Sequence, residues 1–286
     1  MLTWSGAADA GLAIMSLLKK RCFSALFLCL VTYAPLHAGG IACPPEQIDE
    51  AVQVNYVYDG DTLQLEDGRK VRLIGIYTPE VRNRQRALPV DIRASGERAK
   101  AALQQQLNKT ENHVSLAFGS QRFDRTGRTL AHVFLADGTN LQAWLIEQGY
   151  AIAFTTPPND RMASCYQKQE ALARQARRGV WQLPQYSLKS VSGFSNKSTG
   201  FYRVQATVDR VWETRYGMAF LLGGLLGEML EIRIYNSDLH NFNAHMLNNL
   251  QGKNVRVRGW LRQKKSTDHA PYEMILRHPD AIKMVH

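Results

Sequence analysis

Three Asp-Gly dipeptides, Asp59-Gly60, Asp67-Gly68 and Asp137-Gly138, punctuate the first half of this chain, and each closes a run of extended-type residues. Asp-Gly between such runs marks a tight reversal, because glycine supplies the positive φ that two-residue hairpins require. Val52, Val54, Tyr56 and Tyr58 alternate into the first dipeptide. Residues 62–65 then face 70–76 across the second, and 129–135 runs into the third. With 114–118 added, five strands are predicted between residues 52 and 135. Up to Trp181, helical spacing is confined to three places. Ser95 is a competent N-cap before the stripe Ala99, Ala102, Leu103, Gln106 and Leu107. Leu141, Trp144, Leu145 and Gln148 mark a short helix ended by Gly149, and 166–178 marks another ended by Gly179. Five strands with few helices predict a mainly β, α+β fold, a small barrel with helices packed around it.

At 286 residues the chain exceeds one average domain, and 45% hydrophobic residues can fill two modest cores. The formal charge of +10 favours an anionic partner, nucleic acid or a membrane surface, without choosing between them. Lys19-Lys20-Arg21, an apolar run from Cys22 to Pro35 and Leu36-His37-Ala38 read as a signal peptide over 1–38. The run is too short to span a bilayer comfortably, so a secreted or periplasmic protein with no stable membrane partner is expected. The mature chain stays basic and keeps Cys43 and Cys165, which either bridge in an oxidising compartment or remain free thiols. An arm at 39–51 would lead into a first domain at 52–183.

Asp61 follows the first turn, Arg72 lies on the paired strand, and Glu80 follows Thr78-Pro79, where proline must end the strand. A second turn, Asp124-Arg125-Thr126-Gly127-Arg128, delivers Arg128 to the start of another strand. These groups converge on one barrel mouth and supply what phosphodiester hydrolysis needs: a positioned water, a base and cations against the developing charge. Alone, Asp59 and Asp61 beside Gly60 would only shape a turn.

In order and spacing, Asp59-Gly60-Asp61-Thr62, Arg72-Leu73, Thr78-Pro79-Glu80, Asp124-Arg125-Thr126-Gly127-Arg128 and Gly179-Val180-Trp181 resemble the staphylococcal-type thermonucleases. The resemblance implies an OB-type five-stranded barrel with three helices and metal-assisted cleavage of DNA or RNA. It implies that Asp61 and the Thr78 carbonyl bind Ca2+, that Glu80 is the base or water-positioning group, and that Arg72 and Arg128 grip the phosphate. Tyr77 stands where that family places a second calcium-binding aspartate, and a neutral phenol is a poor ligand for a hard cation. Three outcomes follow: a nuclease with weaker calcium binding, a site rebuilt with Asp59 or another divalent ion, or a nucleic-acid-binding protein that has lost the metal. Trp144 and Trp181 are read as core, and Lys168, Arg174, Arg177 and Arg178 as a solvated helix face.

Residues 184–200 turn to Ser, Gly, Asn and Lys and read as a linker. Beyond it, 201–286 predicts five more strands, with a helix over 238–250 between the third and fourth. This spacing, and the run Gly252-Lys253-Asn254-Val255-Arg256-Val257-Arg258-Gly259, resembles bacterial nucleic-acid-binding OB domains. Arg125, Arg256, Arg258 and Trp260 are the predicted nucleic-acid contacts beyond the first site. No Asp-Gly-Asp or Pro-Glu set recurs there, which argues against a second active site.

Overall fold

The computed structural model describes residues 42–82, 88–194, 198–223, 229–264 and 270–285. The signal-peptide reading of 1–38 lies outside the described residues. The first barrel comprises β1 (Glu50–Asp59), β2 (Thr62–Leu65), β3 (Lys70–Leu73) and β4 (Ile76–Tyr77), then α1 (Val90–Asn108), β5 (His113–Phe123) and β6 (Thr129–Phe134). It is completed by α2 (Leu141–Glu147), β7 (Ile152–Ala153) and α3 (Ala163–Gln175). The strands close in the order β1-β2-β3-β6-β5, while β4 and β7 form a separate pair.

Local chemistry explains the turns. Between β2 and β3, Gly68 adopts φ +86° and the Arg69 amide donates to Asp67 Oδ1 at 2.9 Å. This is the hairpin geometry expected of Asp-Gly. Gly60 differs, having no positive φ: it is needed for space, as described below. The helix predicted from Ser95 begins earlier, at Val90, after Pro89. Ser95 is buried within it, because tertiary packing on the barrel extends the helix beyond its best local capping residue.

The second barrel follows from β8 (Leu188–Lys189), β9 (Gly200–Thr214), β10 (Gly217–Leu222) and β11 (Leu230–Tyr235), with the short helices α4 (Asn236–Leu239) and α5 (Ala244–Asn248). It ends with β12 (Asn254–Gln263), β13 (Tyr272–Ile275) and β14 (Ile282–Met284). Pairing of β12 with β9 closes the ring β9-β10-β11-β13-β12. The single helix predicted over 238–250 is two short ones, separated by a turn at 240–243. Both helices lie between the third and fourth strands of the ring as counted along the chain.

Residues 184–194 and 198–200, within the predicted linker, are built into the fold. They carry 3-10 turns at Pro184–Tyr186 and Val191–Gly193, with Tyr186 and Val191 buried. Each barrel has its own core, and a third apolar cluster joins them. In it Ile152, Ala173 and Trp181 of the first half pack with Tyr186 and Phe201, flanked by Tyr77, Phe154 and Trp260. Trp181 is buried as expected, and Trp144 is half-buried against the first core. The Cys43 and Cys165 side chains form a disulfide that ties the amino-terminal arm to α3.

Candidate active site

Asp61 lies in the turn between β1 and β2 and is 5% exposed. Its position depends on close packing of backbone. A Cβ on Gly60 would sit 2.7 Å from Ala99 Cβ and 2.8 Å from Thr78 Cγ2. A Cβ on Gly96 would sit 2.5 Å from the Pro79 carbonyl oxygen. The two glycines thus let α1 press directly against the loop 78–80. Across this contact the Thr78 amide and hydroxyl donate to Asp61 Oδ2 at 3.1 and 3.0 Å. Oδ1 accepts the Thr62 hydroxyl at 3.2 Å and is ion-paired with Arg72. Asp59 Oδ1 accepts the Asp61 amide at 3.0 Å, and burial pushes the Asp59 carboxyl up, against the pull of Arg72.

The cations arrive from neighbouring parallel strands. β3 pairs with β6, Arg72 opposite Leu130, so Arg128 at the foot of β6 stands beside Arg72. The turn before β6 is organised by Asp124. Its Oδ1 accepts the Thr126 amide and hydroxyl, both at 2.8 Å, and the Arg128 amide at 3.0 Å; its Oδ2 accepts Arg128 Nε at 2.7 Å. Burial raises the Asp124 carboxyl, but these bonds outweigh it and hold the pKa at about 2. Gly127, at φ +80°, permits the reversal. Arg72 is pushed down to about 10, first by burial and partly by Arg128, opposed by Asp59, and so stays charged at neutral pH.

Arg72, Arg125 and Arg128 line one cavity of about 590 Å³, with Asp124, Phe154 and Arg277. Arg277 comes from the second barrel, just after β13, and was not foreseen. No motif surrounds it, and only the fold brings it here. Its Nε donates to Asp238 Oδ1 at 3.2 Å, and 48% of the side chain is exposed. An adjoining cavity of about 570 Å³ shares Phe154 and Arg277 and continues past Arg262 and Tyr235. Glu80 is exposed on its loop and lies outside the lining of the first cavity, though its charge acts on Arg72.

The remaining predicted contacts are arranged differently from the expectation of an open binding face. Arg258 donates to Glu170 at 2.5 and 2.8 Å and to the Ala153 carbonyl at 2.6 Å, fastening the second barrel to the first. Trp260 packs edge-on against Tyr77 and Phe154, with ring centroids at 4.7 and 4.4 Å. Arg256 donates to Gln205 at 3.0 Å on the outer face of the barrel. Arg174, read as part of a solvated face, is half-buried and pairs with Glu170 at 3.1 Å.

A calcium ion takes six to eight oxygen ligands. Among the described residues no group of three or more His, Cys, Asp or Glu could hold a metal ion. Both oxygens of Asp61 already accept protein donors, and Tyr77 packs its ring on Trp260. The donors present do not fit a calcium cage.

A closed five-stranded barrel with Arg72, Arg125 and Arg128 converging on one cavity defines an OB-type barrel with a cationic mouth. Residues 70–183 match the family model of the staphylococcal nuclease homologues, a span that takes in Arg72, Glu80 and Arg128. The chain is 31% identical over 136 residues to the thermonuclease of Staphylococcus intermedius, spanning 46% of this chain and 77% of that protein. It is 28% identical over 152 residues to an uncharacterized endonuclease of Escherichia coli, 52% of this chain and 88% of that one. It is also 27% identical over 134 residues to Endonuclease YncB of Bacillus subtilis (strain 168), 46% and 61% respectively. The chain belongs to the staphylococcal nuclease homologues.

Proposed function

We propose that this protein is an exported nuclease that hydrolyses phosphodiester bonds of DNA or RNA at the mouth of its first barrel. The observation that carries the reading is the convergence of Arg72, Arg125 and Arg128 on one cavity. Burial first, and repulsion from Arg128 to a lesser degree, disfavour the charged form of Arg72, and an inserted phosphate offsets both. Arg72 and Arg128 then face the charge that grows on the five-coordinate phosphorus, and Glu80 positions or deprotonates the attacking water from its exposed loop. Asp61 holds Arg72 and Thr78 in place. Arg277 and the adjoining cavity carry the flanking nucleotides toward the second barrel. Export rests on the leader at 1–38 and agrees with a disulfide between the two cysteines that remain. The family resemblance implies Ca2+, but the donors of this chain do not fit that ion, and no step here is routed through it.

A second reading has an observation in its favour. Asp61 is fully engaged by Arg72, Thr62 and Thr78, as in a site that binds nucleic acid without cutting it. One assay separates the two. The chain lacking its leader is incubated with single- and double-stranded DNA and RNA across calcium, magnesium, manganese and chelator. Cleavage is expected, and Glu80→Gln is expected to slow it by about 10²- to 10⁴-fold. Binding with no product under any condition would establish the second reading.

A further inference from the structure

Where α3 lies across the outside of the second barrel, positive charge exceeds what the protein neutralises. Val255 and Val257 point into the core of β12, so Arg256 and Arg258 share its outer face. Arg258 is directly opposite Arg203 on β9, and Arg256 is directly opposite Lys283 on β14. Like charges in these positions destabilise a sheet. Arg174 of α3 makes a fifth cation around the same space.

The acids nearby are already spent. Glu170, 1% exposed, accepts Arg258, Arg174 and the Ala153 amide on its two oxygens. Asp280 pairs with His278 at 3.1 Å and accepts the Thr155 hydroxyl at 3.0 Å. Among the described residues, no carboxylate forms an ion pair with Arg203, Arg256 or Lys283. Arg203, 9% exposed, donates to the Tyr186 carbonyl and lies over Trp181. Burial, then Arg174 and Arg258, push its pKa down to about 10. Arg256 leaves its Nε buried with no hydrogen-bond partner. Natural folds seldom leave a charged donor unsatisfied in this way.

These groups enclose a cavity of about 80 Å³ that shares no lining residue with the site around Arg72 and Arg128. Pockets for nucleosides and other organic ligands run to roughly 300–1,000 Å³, so a base does not fit here while a single tetrahedral oxyanion does. We propose that this cavity is a phosphate-group site, formed by Arg203, Arg256 and Lys283, that braces α3 of the first barrel against β9, β12 and β14 of the second. Guanidiniums suit that ligand because their planar donors match its oxygens in pairs. The group can be free phosphate or one phosphate of a nucleic-acid backbone.

The test uses the full chain and two ligands, inorganic phosphate and a single-stranded oligonucleotide, with chloride at matched ionic strength as the reference. Phosphate is expected to raise the melting temperature saturably above chloride, as ligand binding to the folded state requires. Arg256→Gln should weaken binding by about tenfold or more, the worth of one charged hydrogen bond. Lys283→Gln, at an exposed position where folding is not at risk, should weaken it in the same direction. The response should persist in Arg128→Gln, which alters only the other cavity. The oligonucleotide is titrated on Glu80→Gln, so that it is bound without being cut. If only the oligonucleotide responds to Arg256→Gln and Lys283→Gln, the ligand is a backbone phosphate and the site stands. If neither ligand distinguishes these variants from the parent, or if Arg128→Gln alone abolishes the response, the proposal is overturned.

Discussion

A phenol at position 77 serves poorly as a ligand for a hard cation, yet it packs as a carboxylate cannot. Tyr77 meets Trp260 edge to face at 4.7 Å, and Trp260 also meets Phe154 and Phe201. The residue that breaks the expected acidic set is therefore part of what joins the barrels. In the sequence only the loss was legible, because Trp260 lies far along the chain and no local pattern links the two. Edge-to-face pairs contribute about 0.5–1.5 kcal/mol beyond the area they bury. A double-mutant cycle of Tyr77→Ala and Trp260→Ala, followed by chemical denaturation, should return a coupling of that size. Strict additivity of the two losses would show that the rings do not support each other.

At the scale of elements, the turn 124–128 was readable because its logic is local: an aspartate caps the amides two and four residues on, and glycine allows the reversal. Helix α1 was less readable, since its first turn forms against the barrel rather than from its own capping residues. The segment after Leu183 was hard to read for the same reason, as Tyr186 and Val191 are buried by partners the sequence does not name. The turn also predicts a pH response. Because Asp124 is held at about 2, below the ordinary 3.8, its carboxylate stabilises the fold fully above the ordinary value. That contribution is lost only as pH falls through about 2. A carbon-13 titration should find Asp124 still ionised at about pH 3, and Arg128→Ala should move its midpoint up toward the ordinary carboxylate range. An unchanged midpoint would mean that Arg128 does not hold the turn.

For the whole molecule, the question is whether the barrels are independent beads or one cooperative body. The outward side chains of β12 read in the sequence as a basic, aromatic binding surface, since alternation shows which residues leave the core but not what covers them. The fold covers part of that face with α3 and β7. Arg258, with 16% of its side chain exposed, closes on Glu170, whose side chain is 2% exposed, and Trp260 enters the aromatic cluster around Tyr77. Breaking one partner of such a pair leaves the other charge buried, which costs about 3–5 kcal/mol. Glu170→Gln should therefore lower the melting temperature of both barrels together, in a single calorimetric transition. Replacing both partners, as Glu170→Gln with Arg258→Met, should recover part of the loss because the Arg258 charge is no longer left buried without its partner. Independent beads would behave otherwise: the variant would split the transition into two, one for each barrel.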